Sequence, residues 1–138
     1  MKTSADTRPQ LARTPVQQIM SRPVYCARIS SLLGNALAGM ARHRVRHLVV
    51  IDDYDRCVGV IADRAIVAAW AANPTSLSSH TVETILDPHP AVVDSDATVM
   101  DAARLMGKTG VDAVAVVEGH GVATGIITGV DLVALLAH

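Results

Sequence analysis

The chain has 138 residues, half of them apolar, with 13 acidic against 12 basic side chains and a formal net charge of −1. This length suits one compact domain or two small units that share a core, and a near-neutral charge without a basic stripe argues against nucleic-acid binding. Two cysteines are too few for a disulfide framework, no signal peptide is visible, and no apolar run approaches the ~20 residues of a membrane helix. We therefore expect a cytoplasmic protein that binds neither nucleic acid nor membrane.

The N-terminal segment 1–14 shows no apolar periodicity, and we expect it to be mobile. A short helix is predicted at "VQQIM", followed by a Pro-containing link and the apolar stretch "VYCA". Ser30 is a suitable N-cap for a helix whose apolar residues recur at the i, i+3, i+4, i+7 spacing. The β-branched run "HLVVI" is typical of a buried strand, and the turn "DDYDR" leads through the strand "CVGVIA" into a last helix.

The same order of elements returns in the second half of the chain at one constant offset, with identical residues at pairs such as Met40/Met106 and Gly59/Gly125. Asp96 takes the place of Ser30 as the predicted N-cap. We assign 15–72 to the first repeat, 73–80 to a linker and 81–138 to the second repeat. Because a unit of about sixty residues has too little core to stand alone, we predict an α+β fold. Two α-β-α-β-β-α repeats then pack about a pseudo-twofold axis and leave two clefts between them.

The motifs "A-x-x-x-M", "RHLVVID" and "G-I-I-T-x-x-D-L", in this order, resemble those of a tandem pair of CBS (cystathionine β-synthase) domains. The resemblance covers the chain from Pro15 to its C-terminus. It implies a regulatory module without catalytic activity and with no required cofactor, which binds an adenosine-containing ligand such as AMP, ATP or S-adenosylmethionine. It also implies a homodimer that forms through the outer helices. Any signal would then pass through a separate protein partner or through the dimer itself.

The resemblance places a ribose-binding T-x-x-D element at Thr128 and Asp131. A carboxylate there can accept hydrogen bonds from both ribose hydroxyls. The same spacing at a helix start is typical of a capping box, in which Asp131 reaches back to a backbone N–H. The first repeat has Ala62 and Ala65 at these positions, so we predict one adenosine-type site per chain rather than two.

Three further residues enter the predicted site through the resemblance. Ser30 or Ser31 would contact the ribose or a phosphate, with an N-cap as the other role open to Ser30. Arg46, just before the "LVVI" strand, would pair with a phosphate, or else lie in solvent or in a dimer interface. Asp112 stands near the position where the family carries a basic residue, which disfavours a triphosphate.

Two other function classes compete with ligand sensing. His43 and His47 are four residues apart, but the predicted helix ends between them, which argues against a metal pair. No common catalytic or nucleotide-binding signature is present in the sequence. The alternative to a ligand sensor is therefore a protein-interaction or dimerisation module whose clefts hold no ligand.

Overall fold

The computed structural model describes residues 9–137. It has two three-stranded sheets, each with its own helices, and the predicted α+β fold of two repeats is confirmed. The first repeat contains β1 (Cys26–Arg28), α1 (Leu33–His43), β2 (His47–Ile51), β3 (Cys57–Ala62) and α2 (Asp63–Ala72). A short helix, α3 (Ser76–Ser79), follows within the predicted linker, and then β4 (Val92–Asp94), α4 (Val99–Thr109), β5 (Ala113–Glu118), β6 (Val122–Thr128) and α5 (Gly129–Leu136).

The two sheets have the same topology and the same irregularity. In each sheet the middle strand pairs in parallel with the first strand and antiparallel with the third. The register shifts once in each sheet, directly after the pairs Val50–Gly59 and Val116–Gly125. A shift at equivalent positions shows that the repeat extends to the details of the backbone.

The segment that opens each repeat packs on the other repeat. Val16 begins a 3-10 helix (Val16–Gln18) and is fully buried in the core of the second repeat, with Ala102, Val116 and Ile127. Val82 begins the equivalent 3-10 helix (Val82–Ile85) and is fully buried in the core of the first repeat. The two repeats therefore exchange their first segments, and neither core is complete without the other repeat.

The exchange explains why both repeats carry a glycine in the third strand. A Cβ atom on Gly125 would overlap the Met20 side chain, and one on Gly59 would lie 3.0 Å from Cδ1 of Leu86. Met20 and Leu86 are themselves equivalent positions of the two repeats and follow the two exchanged 3-10 helices. The absence of a side chain at each glycine thus lets the incoming segment pack against the strand.

The predicted N-caps, Ser30 and Asp96, are wrong, because both helices begin two residues later than expected. The N-cap residues are Leu32 and Thr98, and each forms an isolated β-bridge with an exchanged segment, to Thr81 and Pro15 respectively. These bridges hold both residues extended, so the helix cannot start before them. Thr98 and Asp101 form a complete capping box, whereas the apolar side chain of Leu32 cannot cap α1 by a hydrogen bond.

The two ends of the described chain and the linker complete the fold. Of the segment 1–14 that we expected to be mobile, residues 1–8 lie outside the described residues, and Pro9–Arg13 form a 3-10 helix that contacts α4. In the linker, α3 packs so closely on α1 that a Cβ atom on Gly34 would lie 2.9 Å from the carbonyl oxygen of Leu77. Within residues 9–137, no helix is long and apolar enough to cross a membrane.

Candidate ligand site

A cavity of about 370 Å³ lies between the two repeats. Its volume falls within the range of roughly 300–1,000 Å³ that is usual for small-molecule sites. The first repeat supplies most of its wall and the second repeat closes one side. It is lined by Ser21, Pro23–Tyr25, Val45–His47, Val49, Ala62–Arg64, Asp112, Ile126 and Thr128–Val130.

One wall of the cavity is apolar. Val24, Val45 and Val49 come from the first repeat, and Ile126 comes from the second. Tyr25 adds an aromatic ring, which stacks on the imidazole of His43 with 4.0 Å between ring centroids. Such a surface suits a flat, weakly polar group such as a nucleobase, because it removes apolar area from water and leaves polar recognition to other residues.

The rim of the cavity is charged, and each arginine there already has a carboxylate partner. Arg46 Nε lies 3.2 Å from Asp63 Oδ2 within the first repeat. His47 Nε2 lies 2.9 Å from Asp112 Oδ1, and Arg64 Nη2 lies 3.8 Å from the same oxygen. Asp112 therefore joins the two repeats across the cavity.

The environment of Asp112 favours its ionised form. The pKa of Asp112 lies below its ordinary value chiefly because the carboxylate accepts a hydrogen bond from His47. Partial burial opposes this shift, and the charges of His47 and Arg64 strengthen it. Asp112 is consequently ionised at neutral pH, with Arg64 as its basic neighbour.

Thr128 and Asp131 form the capping box that their spacing allows. Asp131 Oδ2 accepts hydrogen bonds from the backbone N–H of Thr128 at 2.8 Å and from its hydroxyl at 3.2 Å. Thr128 Oγ1 in turn accepts from the backbone N–H of Asp131 at 3.4 Å. Thr128 lines the cavity, but Asp131 is not among the lining residues. The carboxylate thus faces the start of its own helix rather than the cavity.

The structure brings together only part of the predicted site. Arg46 and Thr128 both line the cavity. Ser31 lies in a separate, smaller hollow beside α1, and Ser30 lines neither of the two. The β-bridge between Leu32 and Thr81 holds the segment that contains both serines against the exchanged residues, and not beside the start of β2.

The cavity residues that sequence reasoning missed include Tyr25, Asp63 and Arg64. Each differs in chemical character from its counterpart in the second repeat, which is Ala91, Gly129 and Val130 respectively. The signal that could have found these residues was therefore the difference in chemical character between the two repeats at the ends of equivalent strands. The prediction of unequal clefts rested on the T-x-x-D positions instead.

Comparisons with known proteins agree with this architecture. The CBS domain model matches the chain twice, over residues 16–72 and 82–138. A CBS domain-containing protein of Dictyostelium discoideum is 27% identical over an alignment of 130 residues, which covers 88% of this chain and 90% of that protein.

Two solved structures of complexes are similar throughout. The CBS domain pair of protein MJ0100, in complex with 5′-methylthioadenosine and S-adenosyl-L-methionine, has a TM-score of 0.77 and 27% identity, covering 90% of this chain and 96% of the other. CBSX2 in complex with AMP has a TM-score of 0.70 and 28% identity, covering 88% of this chain and 94% of the other.

Proposed function

Since the chain belongs to the CBS domain family and consists of two such domains in tandem, we propose that it is a regulatory module that binds one adenosine-containing ligand in the cavity between its repeats. The observation that carries the proposal is the cavity itself, which combines an apolar wall with a charged rim and is built by both repeats. The similar complexes contain AMP, 5′-methylthioadenosine and S-adenosyl-L-methionine, which supports an adenosine compound as the ligand class.

In this proposal the adenine lies on the apolar wall beside Tyr25, and the polar part of the ligand meets Thr128 and Arg46. Asp131 stands behind Thr128 and positions its hydroxyl, because the carboxylate is engaged in the capping box. Ser30 and Ser31 are left outside the site, since neither lines the cavity.

The charges on the rim favour a ligand with one phosphate or none. A triphosphate would have to compete with Asp63 for Arg46 and would meet the ionised Asp112 across the cavity. Like charges brought together at partly buried positions cost free energy. AMP or an adenosyl compound without phosphate is therefore preferred over ATP.

A thermal-shift screen with AMP, ATP, 5′-methylthioadenosine and S-adenosylmethionine tests the proposal. A ligand at about 100 times its Kd should stabilise the folded chain by roughly 2.7 kcal/mol. Arg46→Gln and Thr128→Val should both reduce the stabilisation. Thr98→Val is the matched control, because it removes a capping box of the same kind from α4, and α4 does not line the cavity.

The outcomes separate the function from the site. If no adenosine compound raises the melting temperature of the wild-type chain, the ligand-sensing function is wrong. If a compound stabilises Arg46→Gln and Thr128→Val as much as the wild type, the function stands but the ligand lies elsewhere.

A second candidate function, a dimerisation or protein-interaction module, is favoured by the exposed apolar residues of α2 and α5. Val67 and Val133 occupy equivalent positions and are 51% and 66% exposed, and Trp70 is 50% exposed. Val130, at the start of α5, is 77% exposed. We propose that these helices form the contact with a second copy of the chain, because large apolar side chains grouped on the surface are typical of interfaces.

A further inference from the structure

A second hollow, of about 130 Å³, lies beside α1 in the first repeat and shares Tyr25 with the cavity between the repeats. Besides Tyr25 and Cys26, the polar side chains of Ser31, Asn35, Arg42 and His43 line it. Ser31 precedes α1. Asn35 and Arg42 are seven residues apart on α1 and therefore lie on one face of the helix, and His43 follows Arg42 at its end.

These four side chains have unused hydrogen-bonding capacity. Within residues 9–137, none of them makes a side-chain hydrogen bond or an ion pair. The ring of His43 stacks on that of Tyr25. Arg42 contributes a full positive charge with five N–H donors, and the amide and hydroxyl groups can also donate. A group with several acceptor atoms would therefore find several donors here.

Two residues that line this hollow have no counterpart of the same kind in the second repeat, although α1 and α4 are both 11 residues long and begin at equivalent positions. Leu105 stands where α1 has Gly39, and Ala97 stands where the first repeat has Ser31. Gly39 leaves the floor of the hollow open, since a Cβ built on it would meet only Arg42 Nη2, at 3.9 Å. At these two positions the lining of the hollow is a property of the side chains of the first repeat and not of the fold that both repeats share.

The remaining groups around the hollow add no uncompensated negative charge. Cys26 lines it, and burial raises the pKa of this thiol above its ordinary value, so that the thiol stays neutral at physiological pH. Asp55, which influences Cys26 through space, is paired with Arg28 at 3.0 Å. The hollow thus carries a positive charge from Arg42.

We propose that this hollow is a second ligand site, which binds a small oxyanion of the size of inorganic phosphate. Arg42 holds the anion by charge-assisted hydrogen bonds, and Ser31, Asn35 and His43 donate to its remaining oxygens. The volume equals that of about four water molecules at ~30 Å³ each, which accommodates one tetrahedral oxyanion. It is well below the roughly 300 Å³ at which sites for larger organic ligands begin.

NMR titration of the full chain with inorganic phosphate, against sodium chloride at matched ionic strength, tests the proposal. Saturable shifts are expected at the amides of Ser31, Asn35 and His43. Arg42→Gln should weaken phosphate binding by about tenfold or more, because it removes a charge-assisted hydrogen bond. Gly39→Leu should abolish binding, because it places in α1 the side chain that occupies this position in α4.

Two controls make the result decisive. Lys108→Gln removes the basic residue at the position of α4 equivalent to Arg42 and should leave phosphate binding unchanged. Arg46→Gln addresses the cavity between the repeats and should also leave it unchanged. The proposal is overturned if phosphate causes no saturable shifts, if the Arg42→Gln variant binds phosphate as tightly as the wild type, or if the shifts map to Val45–His47 and disappear in Arg46→Gln.

Failure of this site and failure of the proposed function are distinguishable. The hollow is tested with phosphate and Arg42, whereas the cavity is tested with adenosine compounds, Thr128 and Arg46. Arg42 is exposed and makes no hydrogen bond or ion pair through its side chain within residues 9–137, so its replacement is expected to leave the fold intact. Circular dichroism of each variant checks this expectation.

Discussion

At the scale of single residues, Arg46 and Asp112 show how the two halves of the chain have diverged. They occupy equivalent positions, and the carbonyl oxygen of each accepts a backbone hydrogen bond at 2.9 Å, from Asp63 and Gly129 respectively. The backbone is therefore the same at both places, while the side chains carry opposite charges. At this pair of positions the two repeats therefore differ in the charge of the side chain and not in the backbone.

The ion pair of Asp112 predicts a pH-dependent contribution to stability. Because the pKa of Asp112 is depressed in the folded state, its carboxylate stabilises the fold fully above the ordinary pKa of 3.8 and loses this contribution as the pH falls through the folded-state value. Asp112 is 56% exposed, so Asp112→Asn should lower the free energy of unfolding by no more than about 1 kcal/mol at neutral pH. Urea denaturation at neutral and strongly acid pH measures the difference, which should vanish in acid.

Asp53→Asn is the control for this experiment, since Asp53 is exposed and has no ion-pair partner within residues 9–137. Its free energy of unfolding should follow that of the wild type at both pH values. A loss in Asp112→Asn that persists unchanged in acid would show that the charge of Asp112 is not the cause.

At the scale of elements, helix starts separate what a local pattern predicts from what the fold selects. The apolar stripes of α1 and α4 were predicted from their spacing, and the buried residues Leu33, Ala36 and Met40 lie on the stripe of α1 as expected. The exact first residue of each helix was not predicted, because it depends on a β-bridge to a segment more than forty residues away in the chain. Local rules for N-caps cannot take such a partner into account.

The corrected N-caps predict different effects for two similar substitutions. Thr98→Ala removes the capping box of α4 and should lower the free energy of unfolding by about 1 kcal/mol. Ser30→Ala should change it by less than about 0.5 kcal/mol, because Ser30 is exposed and its side chain makes no hydrogen bond within residues 9–137. Chemical denaturation of both variants measures the contrast, and equal losses would restore Ser30 as a cap.

At the scale of the whole molecule, the exchanged segments make the two repeats one folding unit. Val16 and Val82 each lie fully buried in the core of the opposite repeat. The interface also includes a backbone hydrogen bond between the two hairpins, in which the N–H of Cys57 donates to the carbonyl oxygen of Gly121 at 2.8 Å. A ligand bound between the repeats would contact the starts of α2 and α5, which line the cavity.

The exposed apolar residues of these two helices predict a dimer. Small-angle scattering or sedimentation should give the mass of two chains for the wild type, and Trp70→Glu should shift it toward that of one chain, because a charge would be buried in the contact. Tyr54→Glu is the matched control, since Tyr54 is 78% exposed but lies in the hairpin between β2 and β3. A monomeric wild type at micromolar concentration, or a loss of the dimer in Tyr54→Glu alone, would contradict the assignment of the interface.

The sequence by itself determined the repeat, the order of the elements and the family, because apolar spacing and the constant offset between the repeats are properties of the chain that no tertiary contact alters. It also predicted that the two repeats would not be equal, from Ala62 and Ala65 opposite Thr128 and Asp131. Only the tertiary structure showed which contacts Thr128 and Asp131 make. The spacing of Thr128 and Asp131 fits both a capping box and a ribose contact, and the carboxylate selects the nearer backbone donor.

The tertiary structure likewise divided the basic run "RHRVRH" between two places. Arg42 and His43 end α1 and line the small hollow, while Arg46, just before β2, and His47, its first residue, line the cavity between the repeats. Arg44, between them, has a left-handed backbone with φ of 55°, which turns the chain from the helix into the strand. A single charge cluster in the sequence thus lies at two different places on the molecule, because the direction of the chain changes within it.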